Sequence, residues 1–138
     1  TGTTLAANVV SSSLTSVGTL TSVNTSGTVV INGIGTLGTQ TLTTSTTAVD
    51  QIIDSVPIAT YRVATYRISV TSGSSYQYTE VSIMQDGVNS YINEINTMVS
   101  GVILATFTAD ISSGNMRLLT TPVNAVTVYK TVSVLVAV

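Results

Sequence analysis

The residues able to do chemistry in this chain are few, and the most conspicuous are glycines. Gly33-Ile-Gly35-Thr-Leu-Gly38 fits the G-x-G-x-x-G spacing of a dinucleotide-binding loop, follows a strand-like stretch at residues 28–31, and has Asp54 about twenty residues downstream. That chemistry requires a helix whose N-terminus holds the pyrophosphate. The following residues, Thr39-Gln-Thr-Leu-Thr-Thr-Ser-Thr-Thr47, are poor helix formers and leave no room for a βαβ unit, so the glycines are expected to serve turns and no cofactor is expected.

The carboxylates come next. Asp50 and Asp54 share strand parity, which would let both reach one cation, but no third ligand follows and no calcium-loop pattern is present. Asp86 and Asp110 are expected at turns. Glu80 and Glu94 have the residue types of a glycosidase pair. A two-residue hairpin at Asp86-Gly87 would place Val81 opposite Ile92 and Tyr78 opposite Ile95, with Glu94 facing Thr79 on the opposite side from Glu80. The chain contains no His and no Cys, which removes the usual general base near neutral pH, the commonest transition-metal ligands and any disulfide framework. Ser and Thr are abundant but have no evident activator, Lys130 being the lone lysine and lying within a valine strand. On these grounds no catalytic, cofactor-binding or metal residues are assigned and the chain is expected not to be an enzyme. The six tyrosines, Tyr61, Tyr66, Tyr76, Tyr78, Tyr91 and Tyr129, have the chemistry for stacking on sugars, although core packing with a wet hydroxyl is the commoner role. Asn24-Thr-Ser26 matches an N-glycosylation acceptor, a match that chance explains in so Ser/Thr-rich a chain.

The elements that must position these residues read as strands. Val, Ile and Thr make up 58 of the 138 residues, a β-branched bias that suits a pleated surface and costs rotamer freedom in a helix. Only ten residues are charged, for a net charge of −2, too weak a field to gather nucleic acid or an anionic membrane. The apolar C-terminal run at residues 126–138 contains Lys130 and is too short for a membrane-spanning helix. The opening lacks the basic and apolar pattern of a signal peptide, and the expectation is a processed chain or part of a longer polypeptide.

Charge and aromatic content divide the chain near residue 47. No charged or aromatic residue precedes Asp50, and 22 of the first 47 residues are Ser or Thr. Within this first region Leu14-Thr-Ser-Val-Gly-Thr19 is followed by Leu20-Thr-Ser-Val-Asn-Thr25, so that Leu14, Val17, Leu20 and Val23 recur every third residue. This period matches neither a half-buried strand nor a sustained helix. Two six-residue copies are too few to shelter their own apolar stripe as a solenoid. Three chains wound about one axis would turn all four residues to a shared core, and residues 1–47 are therefore expected to form an extended, trimeric β stalk, the alternative being a Ser/Thr-rich linker. Residues 48–138 are expected to form an antiparallel β-sandwich or jelly roll. Ala64, Tyr66, Ile68 and Val70 alternate on one face, as do Ile103, Ala105, Phe107, Ala109 and Ile111. The last strand gathers Val126, Val128, Val132, Val134, Val136 and Val138 on one side, expected to be covered. Ser112-Ser-Gly-Asn115 marks a turn and Thr121-Pro122 a strand end.

The stretch Thr43-Thr-Ser-Thr-Thr-Ala-Val-Asp-Gln-Ile-Ile-Asp-Ser-Val-Pro57, continuing into Ala59-Thr-Tyr-Arg-Val-Ala-Thr-Tyr-Arg67, resembles a module in virion structural proteins of tailed phages infecting marine cyanobacteria. Ile111-Ser-Ser-Gly-Asn-Met-Arg-Leu-Leu119 and Thr121-Pro-Val-Asn-Ala-Val-Thr-Val-Tyr-Lys130 look like the same module, which spans residues 43–138. The segment Leu5-Ala-Ala-Asn-Val-Val-Ser-Ser-Ser-Leu-Thr-Ser-Val-Gly-Thr-Leu20 is similar to repeats in phage fibre and tail-associated proteins. The resemblance implies a homotrimeric virion appendage, with tail, neck and capsid placement open; the expected location is the virion, outside the cell, and the expected partners are the chain itself, other virion proteins and a host-surface glycan, with no nucleic acid and no membrane insertion. It carries over no site residues. The competing expectations are a bacterial extracellular filament assembled by strand complementation and a glycan-binding adhesin.

Overall fold

The computed structural model describes residues 24–138; Leu14, Val17, Leu20 and Val23 lie outside the described residues. Nine strands and no helix are present among them: β1 (Val29–Ile31), β2 (Gly35–Thr43), β3 (Gln51–Pro57), β4 (Tyr61–Ser72), β5 (Ser75–Gln85), β6 (Ser90–Val99), β7 (Ala105–Ser112), β8 (Asn115–Pro122) and β9 (Val128–Ala137). They form two antiparallel sheets, a larger one ordered β1-β2-β9-β4-β5-β6 and a smaller one ordered β3-β8-β7. The antiparallel all-β expectation holds.

The turns follow from local chemistry. Asn32 and Gly33 both take positive φ between β1 and β2, and the N–H of Ile34 donates to the carbonyl of Ile31 at 3.0 Å. Ser113 and Gly114 do the same between β7 and β8, with Ser112 opposite Asn115, as the sequence led one to expect. Asp86-Gly87 also turns the chain, but through a longer loop. The Asp86 carboxylate accepts the N–H groups of Val88 (2.9 Å) and Asn89 (2.7 Å), and this wraps four residues between paired Gln85 and Ser90. Ile83 therefore faces Ile92 and Val81 faces Glu94, in place of the expected Val81–Ile92 pair. Asn96, at positive φ, then bulges out of β6, so that Tyr78 faces Met98 and not Ile95.

The core lies between the sheets. Ala64, Tyr66, Ile68 and Val70 of β4 are fully buried, as their alternation predicts, and meet Val81, Ile83, Tyr129 and Leu135 from the same sheet. Ile53, Val56, Leu104, Ala105, Phe107, Met116 and Leu118 cover them from the other side. Phe107 stands edge-on to Tyr129, ring centres 6.5 Å apart. Ala105 and Phe107 are inward as expected, Ala109 and Ile111 only half so, and Leu104 is buried in place of Ile103.

Two expectations need correction here. The division at residue 47 does not separate a stalk from a domain, because β2 is hydrogen-bonded in register with β9 from Gly35↔Val136 to Thr43↔Val128. The Thr44 hydroxyl carries this join onward by donating to the carbonyl of Ala125 at 2.7 Å. The valines of the last strand are not in the core. Tyr129, Thr131, Ser133 and Leu135 point inward, and Val132, Val134 and Val136 point outward. Inward space over β2 is shallow: a Cβ on Gly38 would stand 3.0 Å from the Ser133 hydroxyl. Small side chains fit that space, and the Thr131 hydroxyl accepts the Gln40 N–H at 3.1 Å.

Candidate functional site on the outer face of the larger sheet

Strand register converts the outward residues into rows that cross the sheet. One row runs Gly35, Val136, Val63, Met84 and Tyr91 through β2, β9, β4, β5 and β6. The next runs Leu37, Val134, Thr65, Ser82 and Asn93, with Val29 of β1 beside Leu37. A third runs Thr39, Val132, Arg67, Glu80 and Ile95, and a fourth Thr41, Lys130, Ser69, Tyr78 and Met98. The face is thus apolar at the Val136 end and polar at the Lys130 end. Val132 is 55% exposed, Val134 45%, Val136 41%, Met84 45% and Tyr91 50%.

The polar end gathers Arg67, Tyr78, Glu80 and Lys130 in neighbouring positions. The Tyr78 hydroxyl donates to Glu80 Oε1 at 2.6 Å, Asn96 Nδ2 reaches Oε2 at 3.4 Å, and Arg67 Nε stands 3.7 Å from Oε1. The hydrogen bond from Tyr78 holds the Glu80 carboxyl below the usual carboxylate range and raises the tyrosine in return. A glycosidase acid needs the opposite shift. Glu94 lies on the other face of the sheet, opposite Val81, and accepts from Thr97 Oγ at 2.8 Å. The two glutamates therefore do not form a hydrolytic pair. Arg67, Ser69, Tyr78, Lys130, Thr131 and Val132 line a shallow depression of about 270 Å³ beside Glu80.

The remaining sequence-marked residues are scattered. Gly33 sits in the β1–β2 turn and Gly35 and Gly38 within β2, so the phosphate-loop spacing falls on a hairpin with no helix after it. Asp50 and Asp54 do not converge. A bulge at Ile53 turns Ile53 and Asp54 inward together and breaks the shared parity. Asp50 instead accepts from Thr108 Oγ at 2.8 Å. Asp54 is buried between the sheets, where Tyr66 OH donates to Oδ2 at 3.0 Å, and Gln40 Nε2 and the Ser55 N–H to Oδ1 at 3.1 and 2.8 Å. Burial and the neighbouring carboxylate push the Tyr66 hydroxyl far above its ordinary range, so it stays a donor. Asp110 forms a bidentate pair with Arg117, which lowers its carboxyl. No cluster of three or more acidic ligands suited to a metal occurs among the described residues. Of the tyrosines, Tyr66 and Tyr129 are core, while Tyr76 and Tyr91 are exposed. Asn24 is exposed and precedes a turn closed by Thr25 Oγ donating to the Gly27 carbonyl. No described helix is long and apolar enough to cross a membrane.

No family model matches the chain. No curated protein matches it either. Solved structures do. The fold is similar to that of the tailspike protein gp49 from Acinetobacter baumannii bacteriophage Fri1, described as a capsular polysaccharide depolymerase, with a TM-score of 0.52 and 15% identity over 81% of this chain and 20% of that one. A second similar structure is the Acinetobacter phage vB_ApiP_P1 tailspike protein, with a TM-score of 0.44 and 15% identity over 89% of this chain and 26% of that one. The chain spans about a fifth to a quarter of the length of these tailspikes. The bacterial filament finds no support among the comparisons. The expectation that the chain is not an enzyme is overturned by the first of them: the shared fold occurs in a chain described as a depolymerase, and a segment lacking an activated nucleophile does not define the chemistry of the appendage carrying such a fold. The described residues have a phage tailspike-like, all-β fold.

Proposed function

We propose that this chain is a structural module of a phage tail appendage, a tailspike or tail fibre, and that it assembles as a homotrimer. The observation carrying this reading is the fold shared over four-fifths of the chain with one fifth of a phage tailspike. The phage-module resemblance of residues 43–138 supports it independently of fold. The expected trimer core of Leu14, Val17, Leu20 and Val23 lies outside the described residues and belongs to this proposal. Other virion proteins are its partners along the appendage, and a host-surface polysaccharide is met by the assembled structure outside the cell. The resemblance names a marine cyanobacterium as host, which adsorption of tagged chain to such cells tests.

Sedimentation equilibrium of residues 1–138 tests the assembly. A trimeric mass is expected at micromolar concentration, and a stable monomer overturns the reading.

A further inference from the structure

We infer that the outward valine face of the larger sheet is the surface on which copies of this chain meet, with Val132, Val134 and Val136 of β9 directed at the axis that relates them. This rests on the homotrimer reading and adds to it the face that is used.

Three observations converge. The first is area. Ile31, Leu37, Val132, Val134, Val136, Met84 and Tyr91 are each at least four-tenths exposed and share contiguous rows. Together they present on the order of 600 Å² of side chain, at the upper limit of what monomeric proteins leave open. A stable pair of proteins needs about 800 Å² per partner, which the adjoining Val29, Val63 and Thr39 bring within reach.

The second is charge. The two rows through Val136 and Val134 contain no ionisable group except the Tyr91 hydroxyl, which is turned aside to donate to Asp86 Oδ2 at 2.8 Å, and Val132 borders the charged pair of the third row. At the polar end Arg67 is balanced by Glu80 within the same copy. Three such faces meeting would leave Lys130 as the group that must stay wet, and it lies in the outermost of the four rows from Val136.

The third is where the chain leads in. Thr25, Ser26 and Gly27 line one groove with Val29, Leu37, Thr39 and Val132, so the chain arrives over the outer face itself. A second copy packed on this face would therefore meet residues 25–27 as well as the valines.

The chain has no cysteine, so single replacements report proximity without background. The 138-residue chain carrying Val134→Cys is oxidised beside a control carrying Ile52→Cys, which is exposed on the smaller sheet. Val134→Glu is examined by sedimentation and circular dichroism. The expected result is a covalent dimer band from Val134→Cys only, together with conversion of Val134→Glu from trimer to monomer with an unchanged β spectrum. If the parent is trimeric but Val134→Glu stays trimeric and only Ile52→Cys cross-links, the face is wrong and the trimer stands. A monomeric parent overturns both. If in such a monomer Leu20→Cys combined with Val134→Cys closes an internal disulfide, the chain's own repeat covers the face.

Discussion

Replacing Tyr66 by Phe tests whether the two sheets are locked by the buried Asp54 carboxylate as well as by apolar contact. Asp54 comes from β3 in the smaller sheet, and Tyr66 and Gln40 from β4 and β2 in the larger, so both side-chain hydrogen bonds to the carboxylate cross the core. The substitution leaves ring volume intact and removes one donor at 3.0 Å from Oδ2. A hydrogen bond to a charged group contributes about 1.5–3 kcal/mol, and Oδ2 has no other donor among the described residues, so a loss of about 2 kcal/mol is expected. For a domain of this size that lowers Tm by about 8 °C. Asp54→Ala strands the Tyr66 hydroxyl and the Gln40 amide together and is expected to cost about 3 kcal/mol. In the double variant the two losses should fall short of their sum by about 1.5 kcal/mol or more, since both remove the same bond. Urea unfolding at pH 7 and one fixed protein concentration measures all three, concentration being fixed because association adds to apparent stability. A coupling below about 0.5 kcal/mol would refute the clamp and leave apolar burial alone to join the sheets.

Gln77 staples the start of β7 to β5, its Oε1 accepting the N–H groups of Leu104 (2.7 Å) and Ala105 (3.1 Å). Gln77→Leu should therefore cost about 3 kcal/mol by leaving two buried donors unpaired, and amide exchange at both residues should accelerate. Asp86 is held well below the usual carboxylate range, first by the N–H groups of Asn89 and Val88 and then by the Tyr91 hydroxyl. Its contribution to the β5–β6 loop is complete above its unfolded pKa of about 3.9 and is lost as pH falls through the lower folded value, so its carboxyl carbon shift should titrate below that of a free aspartate. A titration at the free value would remove the account of the four-residue loop. Gly87 stands at φ +100 with open space around it, and Gly87→Ala should cost about 1–2 kcal/mol through backbone conformation alone, read from the urea midpoint. For the parent, that midpoint should rise with protein concentration; no change over a hundredfold range would mean that the valine face is stably open to water.

Where one face of a strand was much more apolar than the other, its orientation was legible. In β4 the alternation of Ala64, Tyr66, Ile68 and Val70 with Arg67 and Ser69 left one solution, and all four are buried. In β9 both faces carry apolar residues, and the better pattern belonged to the wrong one. Period-two alternation says that residues share a face, and says nothing of which face is inside. The deciding features are distant in sequence: the shallow inward space over Gly38, and the edge-on fit of Tyr129 to Phe107. Asp54 was misplaced for a different reason. A bulge adds one residue to the count, and nothing in Gln-Ile-Ile-Asp announces it. The boundary at residue 47 followed a true change in charge and aromatic content, but strand pairing is indifferent to charge, and a Thr-rich strand satisfies β9 as well as any other.

The inversion in β9 also explains an otherwise odd composition. Thr36, Thr44, Thr79, Thr120, Thr127, Thr131 and Ser133 are buried, and six of these hydroxyls are hydrogen-bonded: Thr44 to the Ala125 carbonyl, Thr120 to that of Thr106, Thr127 to that of Asn124, Thr131 to the Gln40 N–H, Thr36 to Tyr61 and Thr79 to Thr97. A core lined in part by hydroxyls satisfied in this way tolerates burial at little cost. Its valines are then available for the outside. Such a distribution would be a liability for a solitary chain with ten charges, since an uncovered apolar sheet invites unregulated association. On the proposed homotrimer that face is covered by other copies, and the low charge, the inward hydroxyls and the outward valines then share a single cause, an apolar surface completed by the chain's own kind.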